Sequence, residues 1–252
     1  MRFLKIALTA LFLVAVVFAS LTFAQQKPAA AQAQQAIIGV TMMQIKPGMG
    51  YEFESYLKRD LIPALKKGGI KQLGIAKTKG FGASDNYIVT IPMASITELD
   101  APDPFAKALG GDGLLVLLSN IQRCVASSRT YMLVDRPDLG MAPKPDYAFK
   151  MGVFVTLSVT PGRTEDFEKG AKAIVAVIAK TNAKAVLTGK VGMGGNTNEY
   201  NMFIAFDNFA DLEKFVPAFM KAAAEAKLAP ETGVVMWEEM ATYSMLHELS
   251  IE

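Results

Sequence analysis

The sequence predicts an α+β fold built from two tandem repeats, each with the element order β-α-β-β-α-β. The first observation is a start motif that occurs twice, about 113 residues apart: an apolar strand, a Pro-Gly turn (Pro47-Gly48 and Pro161-Gly162) and an amphipathic helix. The second is that later residues match in the same order. Asn86-Tyr87 corresponds to Glu199-Tyr200, Leu99 to Leu212, Pro104 to Pro217, and Thr130-Tyr131 to Thr242-Tyr243. The third is that the strands are apolar on both faces, which predicts burial on both.

The first repeat, residues 37–136, is predicted to begin with a strand from Ile37 to Ile45. From Gly50 to Lys67, apolar residues recur at four-residue spacing, as expected of a helix that lies on a sheet. Pro63 is expected to kink or shorten this helix, and Gly68-Gly69 to end it.

The rest of the first repeat is predicted as two strands, a helical region and a fourth strand. Residues 71–79 and 86–92 are strands joined by a Gly-rich hairpin. The helical region starts near Ile96 and continues as an apolar run to Cys124. Residues 128–135 form the fourth strand.

The prolines between Arg136 and Pro145 exclude long regular structure and predict a linker at residues 137–146. The second repeat, residues 147–252, copies the order of the first. Its predicted strands are 149–159, 183–191, 199–207 and 234–246, and its predicted helices are 164–180 and 209–227.

A four-stranded sheet with both helices on one face leaves its other face uncovered. Because the strands are apolar on both faces, that face needs a partner, and the equivalent face of the other repeat is the obvious one. The prediction is an intramolecular pseudo-dimer: an eight-stranded α/β barrel with the helices outside. Pairing of each repeat with a second chain stays open, so the protein is expected to be a monomeric pseudo-dimer or a homodimer.

The tandem order, the strand-Pro-Gly-helix start and the Asn/Glu-Tyr third strand resemble the ferredoxin-like dimeric α/β-barrel superfamily. Within it, the chain is most similar to NIPSNAP-type and antibiotic-biosynthesis-monooxygenase-type domains, from about Ile37 to Leu246. The superfamily includes cofactor-independent monooxygenases, haem enzymes, lactone isomerases and proteins with no known reaction. The resemblance therefore implies a fold and leaves the activity open.

The first residues have the pattern of a secretory signal peptide. A basic start is followed by an uncharged apolar run from Ile6 to Ala19 and a small-x-Ala site that ends at Ala24. Residues 1–24 are predicted as the signal and the Ala/Gln-rich residues 25–36 as a disordered spacer. We expect an exported bacterial protein, periplasmic or extracellular, with no stable membrane anchor after cleavage. An uncleaved anchor is the alternative.

Charge and cysteine content exclude several classes. The chain has 26 basic and 24 acidic residues, and loss of Arg2 and Lys5 with the signal leaves 24 of each. Such a balance gives no basic surface for nucleic acid. Cys124 is the single cysteine, so no intrachain disulfide and no Cys-pair zinc site is possible; its apolar neighbours predict a buried thiol. No metal-ligand spacing and no cofactor motif is present.

Five strand residues are the candidate ligand contacts: Tyr87, Arg129, Tyr131, Tyr200 and Tyr243. Phenol hydroxyls in an apolar barrel need hydrogen-bond partners and can orient a ligand. Arg129 would lie on the same strand face as Tyr131 and could meet an anion. The alternative is that the tyrosines only fill and cap the barrel.

Other candidates have structural explanations. His247 is the single histidine; haem-binding relatives use a histidine to hold iron, but this one near the C-terminus is predicted on the surface. Glu54 and Glu168 are expected in the first turns of their helices, where a carboxylate offsets the helix dipole.

The sequence leaves the activity open, and no catalytic residue is assigned. The first hypothesis is a barrel protein that holds a small hydrophobic ligand, or serves a structural role alone. The alternative is an enzyme that resembles cofactor-independent monooxygenases and oxidises an aromatic or polyketide-like substrate. A haem enzyme is the third.

Overall fold

A computed structural model describes residues 36–100, 104–228 and 232–251. The predicted signal peptide and nearly all of the predicted spacer lie outside the described residues. Within those three ranges, no helix is both long enough and apolar enough to cross a membrane.

The first repeat contains the predicted elements with shifted ends. Its strands are β1 (Ile37–Ile45), β2 (Gly74–Thr78), β3 (Asn86–Met93) and β4 (Val125–Asp135). Its helices are α1 (Gly50–Tyr56), a π-helical segment (Leu57–Leu61), α2 (Ile62–Gly68) and α3 (Pro104–Cys124), with a 3-10 turn at Ile96–Asp100.

Pro63 does not shorten the first helical run, which continues to Gly68. The proline lies in the first turn of α2, directly after the π-helical segment. A wider π turn relieves the clash between a proline ring and the carbonyl four residues before it. Gly69 then ends α2 with a left-handed φ of 98°, as the glycine pair predicted.

The predicted helical region after Ile96 is divided in two by the structure. The 3-10 turn Ile96–Asp100 precedes α3, and α3 itself changes direction at Gly110, whose φ is 71° and ψ 171°. These angles are accessible to glycine because it has no Cβ. The part of α3 after Gly110 carries the apolar run that ends at Cys124, which is fully buried as predicted.

The second repeat has the same order. Its strands are β5 (Met151–Val159), β6 (Ala185–Met193), β7 (Glu199–Phe206) and β8 (Val235–Met245), and its helices are α4 (Thr164–Ile178) and α5 (Phe209–Glu225). The predicted linker before it contains a 3-10 turn at Pro137–Leu139 and a bridge from Met141 to Val186, so it is more regular than its prolines indicated.

Strand pairing gives the two repeats identical registers. In the first, β1 pairs antiparallel with β3, from Ile37 opposite Met93 to Gln44 opposite Asn86. In the second, β5 pairs antiparallel with β7, from Met151 opposite Phe206 to Ser158 opposite Glu199. The eight strands form a closed barrel in the order β1-β3-β2-β8-β5-β7-β6-β4, which confirms the predicted fold class.

The chain divides into two compact units. Of the described residues, unit 1 contains 36–77, 84–100, 104–132 and 246–251, and unit 2 contains 78–83, 133–228 and 232–245. Each has an apolar cluster that includes strand and helix residues. His247 is exposed in a 3-10 turn, as predicted.

Candidate functional site

Unit 1 contains an apolar cavity of about 60 Å³ between its sheet and its helices. Strands β1 and β3 form the floor, and the first helical run and α3 form the walls and roof. The lining residues are Gly39, Thr41, Met43, Phe53, Leu57, Leu61, Leu65, Leu73, Val89, Ile91, Leu117, Leu118, Ile121 and Gln122. No lining residue is charged, so the cavity suits an uncharged molecule.

The cavity coincides with two small residues on β1. Gly39 and Thr41 share a strand face with Met43, because side chains alternate along a strand. By the matching registers, their counterparts in unit 2 are Val153 and Val155, which pack in the apolar cluster of that unit. Unit 1 therefore has less side-chain volume at two places that unit 2 fills.

The roof of the cavity comes from two unusual helical stretches. Leu57 and Leu61 lie in the π-helical segment, an arrangement that is frequent at functional sites. Leu117, Leu118 and Ile121 lie on α3 after the change of direction at Gly110. Both stretches place leucine-rich surface over the same space.

The polar groups at the cavity are few. The Thr41 hydroxyl lies 3.1 Å from the Thr130 hydroxyl on β4, and Gln122 is exposed on α3. An apolar lining with a few placed polar groups is typical of small-molecule sites.

Tyr87 lies beside the cavity wall with its phenol already bonded. Its hydroxyl donates to Glu54 Oε1 at 2.5 Å, and Lys77 Nζ donates to the same oxygen at 3.0 Å. The Tyr87 ring packs edge-on against Phe53, with centroids 4.8 Å apart. Burial and the bond to Glu54 raise the pKa of Tyr87, so the phenol stays protonated and holds α1 to the sheet.

Unit 2 repeats this arrangement around Tyr200. The Tyr200 hydroxyl donates to Glu168 Oε1 at 2.7 Å, and the Arg136 guanidinium binds both oxygens of Glu168. The bonds from Arg136 lower the pKa of Glu168 to about 2, against the effect of burial. Burial and the bond to Glu168 raise the pKa of Tyr200. Arg136 also binds Asp138, and this bond lowers the pKa of Asp138 to about 2.

Glu54 and Glu168 do not lie in the first turns of their helices, so that expectation was wrong. The helices begin at Gly50 and Thr164, and the carboxylates fall one turn later, where they face the tyrosines on the sheet. Contact with a phenol and a cation, rather than the helix dipole, explains their positions.

The other three candidates have different surroundings. Arg129 and Tyr131 lie together, with the guanidinium carbon 4.6 Å from the ring centroid, and the Tyr131 hydroxyl donates to the sulfur of Met42 at 3.4 Å. Tyr243 packs edge-on against Phe154 at 5.9 Å, and burial raises its pKa.

None of the five candidate residues is among the described residues that line the cavity. The structure brings Arg129 and Tyr131 together, whereas Tyr87 and Tyr200 bind carboxylates of their own units. Their role as ligand contacts stays a prediction. Gly39 and Thr41 were not predicted as lining residues. Alignment of the two repeats could have indicated them, because both positions hold a larger valine in the second repeat.

Four buried polar residues of unit 2 were not predicted from the sequence either. Thr156, Ser158, Glu199 and Asn201 are each at least nine-tenths buried. Asn201 Nδ2 donates to Thr156 Oγ1 at 3.5 Å and to Glu199 Oε1 at 3.4 Å. These residues alternate with those that pack against the helices, so they lie on the opposite face of the sheet.

The cavity of unit 1 does not fit a haem. Drug-sized ligands occupy pockets of about 300–1,000 Å³, whereas this cavity has about 60 Å³. His247 is exposed in its 3-10 turn. Within the described ranges, no group of three or more His, Cys, Asp or Glu residues is placed to hold a metal ion.

No protein-family model and no curated protein matches the sequence. Solved structures match its fold. A candidate monooxygenase from Fusobacterium nucleatum has a TM-score of 0.59 at 13% identity, over 85% of this chain and 94% of its own. An anthrone oxidase-like protein has a TM-score of 0.57 at 13% identity, over 86% and 93%. A chlorite dismutase variant from Candidatus Nitrospira defluvii has a TM-score of 0.53 at 10% identity, over 84% and 93%.

The chain has the dimeric α/β-barrel fold. At these identities the likeness concerns the fold alone. It confirms the predicted fold.

Proposed function

We propose that the protein binds a small, uncharged hydrophobic molecule in the cavity of unit 1. The observation that carries the proposal is the asymmetry between the repeats. Gly39 and Thr41 leave space in an apolar setting, at positions where unit 2 has Val153 and Val155. An unfilled space in a core costs stability, about 24 cal/mol per Å³ of cavity in one measured series. A ligand that fills the space would recover part of that cost.

The size of the cavity limits what enters without rearrangement. In another protein, an apolar cavity of about 150 Å³ stays dry and binds benzene or xenon. The cavity of about 60 Å³ accepts a small probe directly. A ring would require outward displacement of α3, whose backbone changes direction at Gly110.

Xenon binding tests the site directly. Methyl NMR spectra under xenon pressure should show shifts at Leu57 and Leu117 that saturate with pressure. Gly39→Val adds the side chain that unit 2 carries and should abolish the shifts. Val153→Ile adds volume at the equivalent position of unit 2 and serves as the matched control. The xenon-induced shifts should be unchanged in this variant. Shifts that persist in G39V would contradict the cavity assignment.

The natural ligand is accessible by native mass spectrometry of the protein purified from its own host. A small molecule released on denaturation of the wild type, and missing from G39V, is the expected result. The same spectra give the oligomeric state and distinguish a monomer from a homodimer.

A second candidate function is oxidation of the bound molecule by oxygen, with the cavity as the site that orients it. Its support is the shared fold with proteins named as candidate monooxygenases and as anthrone oxidase-like. The test is oxygen consumption with the captured molecule. Consumption by the wild type and none by G39V would support oxidation; no consumption by either would leave ligand binding as the function.

We also propose that the chain is exported. The support is the basic start, the apolar run and the cleavage-like site at Ala24. The mature protein from the host should begin at Gln25, which intact-mass measurement checks. A mass that includes the first 24 residues would instead favour an uncleaved anchor.

A further inference from the structure

We infer that the hydroxyl of Thr41, which lies beside the hydroxyl of Thr130, makes the cavity selective for apolar molecules that carry one hydrogen-bond-accepting oxygen, such as a ketone or an ether. This inference rests on the proposed binding function and names its ligand class. The two hydroxyl oxygens lie 3.1 Å apart, within hydrogen-bond distance, and Thr41 lines the cavity.

A count of protons shows why the pair leaves a donor. Each threonine hydroxyl has one proton and two lone pairs. The mutual bond uses one of the two protons. The described part of the chain offers no further hydrogen bond to either hydroxyl. The second proton therefore has no acceptor among the described residues.

The direction of the mutual bond decides where the spare proton points. When Thr130 donates to Thr41, the proton of Thr41 is free to turn toward the cavity that this residue lines. An unmet donor in a partly buried place is costlier than an unmet lone pair. An oxygen acceptor on the ligand relieves that cost, whereas a hydrocarbon leaves it in place.

The same pair does not exist in unit 2. The counterpart of Thr41 is Val155, and the counterpart of Thr130 is Thr242, whose hydroxyl bonds to backbone groups of Lys79 and Phe81. The spare donor therefore belongs to the unit that has the cavity. Charged ligands are excluded, since the lining offers no ion partner.

The test uses acetone and 2-methylpropene, two small acyclic molecules of nearly the same shape, in which the ketone oxygen of the first takes the place of the methylene group of the second. Dissociation constants are measured by ligand-observed NMR for the wild type and for Thr41→Val, which removes the hydroxyl and keeps the volume. The expected result is that the ketone-to-alkene affinity ratio falls roughly 5- to 10-fold in T41V, as expected for loss of one hydrogen bond. Affinity for the alkene should not fall.

Three variants control for structural effects. Thr41→Ser keeps the hydroxyl and should keep the ratio of the wild type. Thr130→Val leaves the Thr41 proton available to the ligand, so the ketone-to-alkene affinity ratio should stay that of the wild type. Val155→Thr places a hydroxyl at the equivalent position of unit 2 and should change nothing. If T41V fails to fold, loss of the preference in T130V with retention in T41S would already contradict the assignment of Thr41 as the donor.

The outcomes separate the two proposals. An unchanged ratio in T41V, with both probes bound, would overturn the selectivity and leave the cavity function standing. Binding of neither probe to the wild type, together with no xenon response, would overturn both.

Discussion

The ion pair between Arg136 and Glu168 in unit 2 predicts how the stability of this protein changes at acid pH. The bidentate contact with Arg136 lowers the pKa of Glu168 from its ordinary value of 4.5 to about 2. Because the folded-state pKa lies below the unfolded value, ionisation of Glu168 stabilises the fold. That contribution is present above about pH 4.5 and is lost as the pH falls toward 2.

The magnitude follows from the shift. Lowering the pKa by about 2.5 corresponds to about 3 kcal/mol, because one pKa unit is worth about 1.36 kcal/mol. The Glu168 side chain is 23% exposed, and screening by solvent reduces the figure to about 2 kcal/mol. Glu168→Gln should therefore lower the free energy of unfolding by about 2 kcal/mol at pH 7.

The assay is urea unfolding followed by circular dichroism, for wild type and E168Q, at pH 7 and pH 2.5. The difference between the two proteins should shrink as the pH falls, because the wild type loses a contribution that the variant never had. Glu213→Gln, at an exposed position on α5, makes the same change of charge and is the control. Equal losses of stability in wild type and E168Q would refute the reasoning.

Two glycine pairs give further tests by thermal unfolding. Gly110→Ala should destabilise by about 1 kcal/mol, because φ is 71° there; Gly111→Ala, in the same helix with nothing within 4 Å of the added Cβ, should stabilise by up to about 1 kcal/mol. Gly152→Ala should destabilise by about 1–3 kcal/mol, since its Cβ would lie 2.6 Å from a carbonyl oxygen on β7. Gly170→Ala on α4 meets nothing and should stabilise. An unchanged midpoint in G110A or G152A would contradict the backbone and packing described for that position.

The element order was predictable because hydrophobic periodicity and the repeat report local geometry. The matching pairs, such as Tyr87 with Tyr200, fixed the correspondence between the repeats, and the strand registers confirm it. Both Glu54 and Glu168 drew notice in the sequence. The bonds of these glutamates to the tyrosines could not be predicted, since a helix residue and a strand residue meet only after the helix packs on the sheet.

Helix details were less predictable for a related reason. The π-helical segment before Pro63 and the change of direction at Gly110 are local responses to packing, in which a proline or a glycine permits several conformations. Pro63 was predicted to disturb its helix, whereas the change of direction at Gly110 was not predicted. The surrounding side chains selected the conformation.

The sequence by itself determined the order of strands and helices, the duplication and the need to bury both sheet faces, because each follows from the spacing of apolar residues along the chain. Tertiary structure alone decided that Gly39 and Thr41 border a space and that Thr41 faces Thr130. A cavity is a difference between the volume that a backbone encloses and the volume that side chains fill. That difference is set by every element around it.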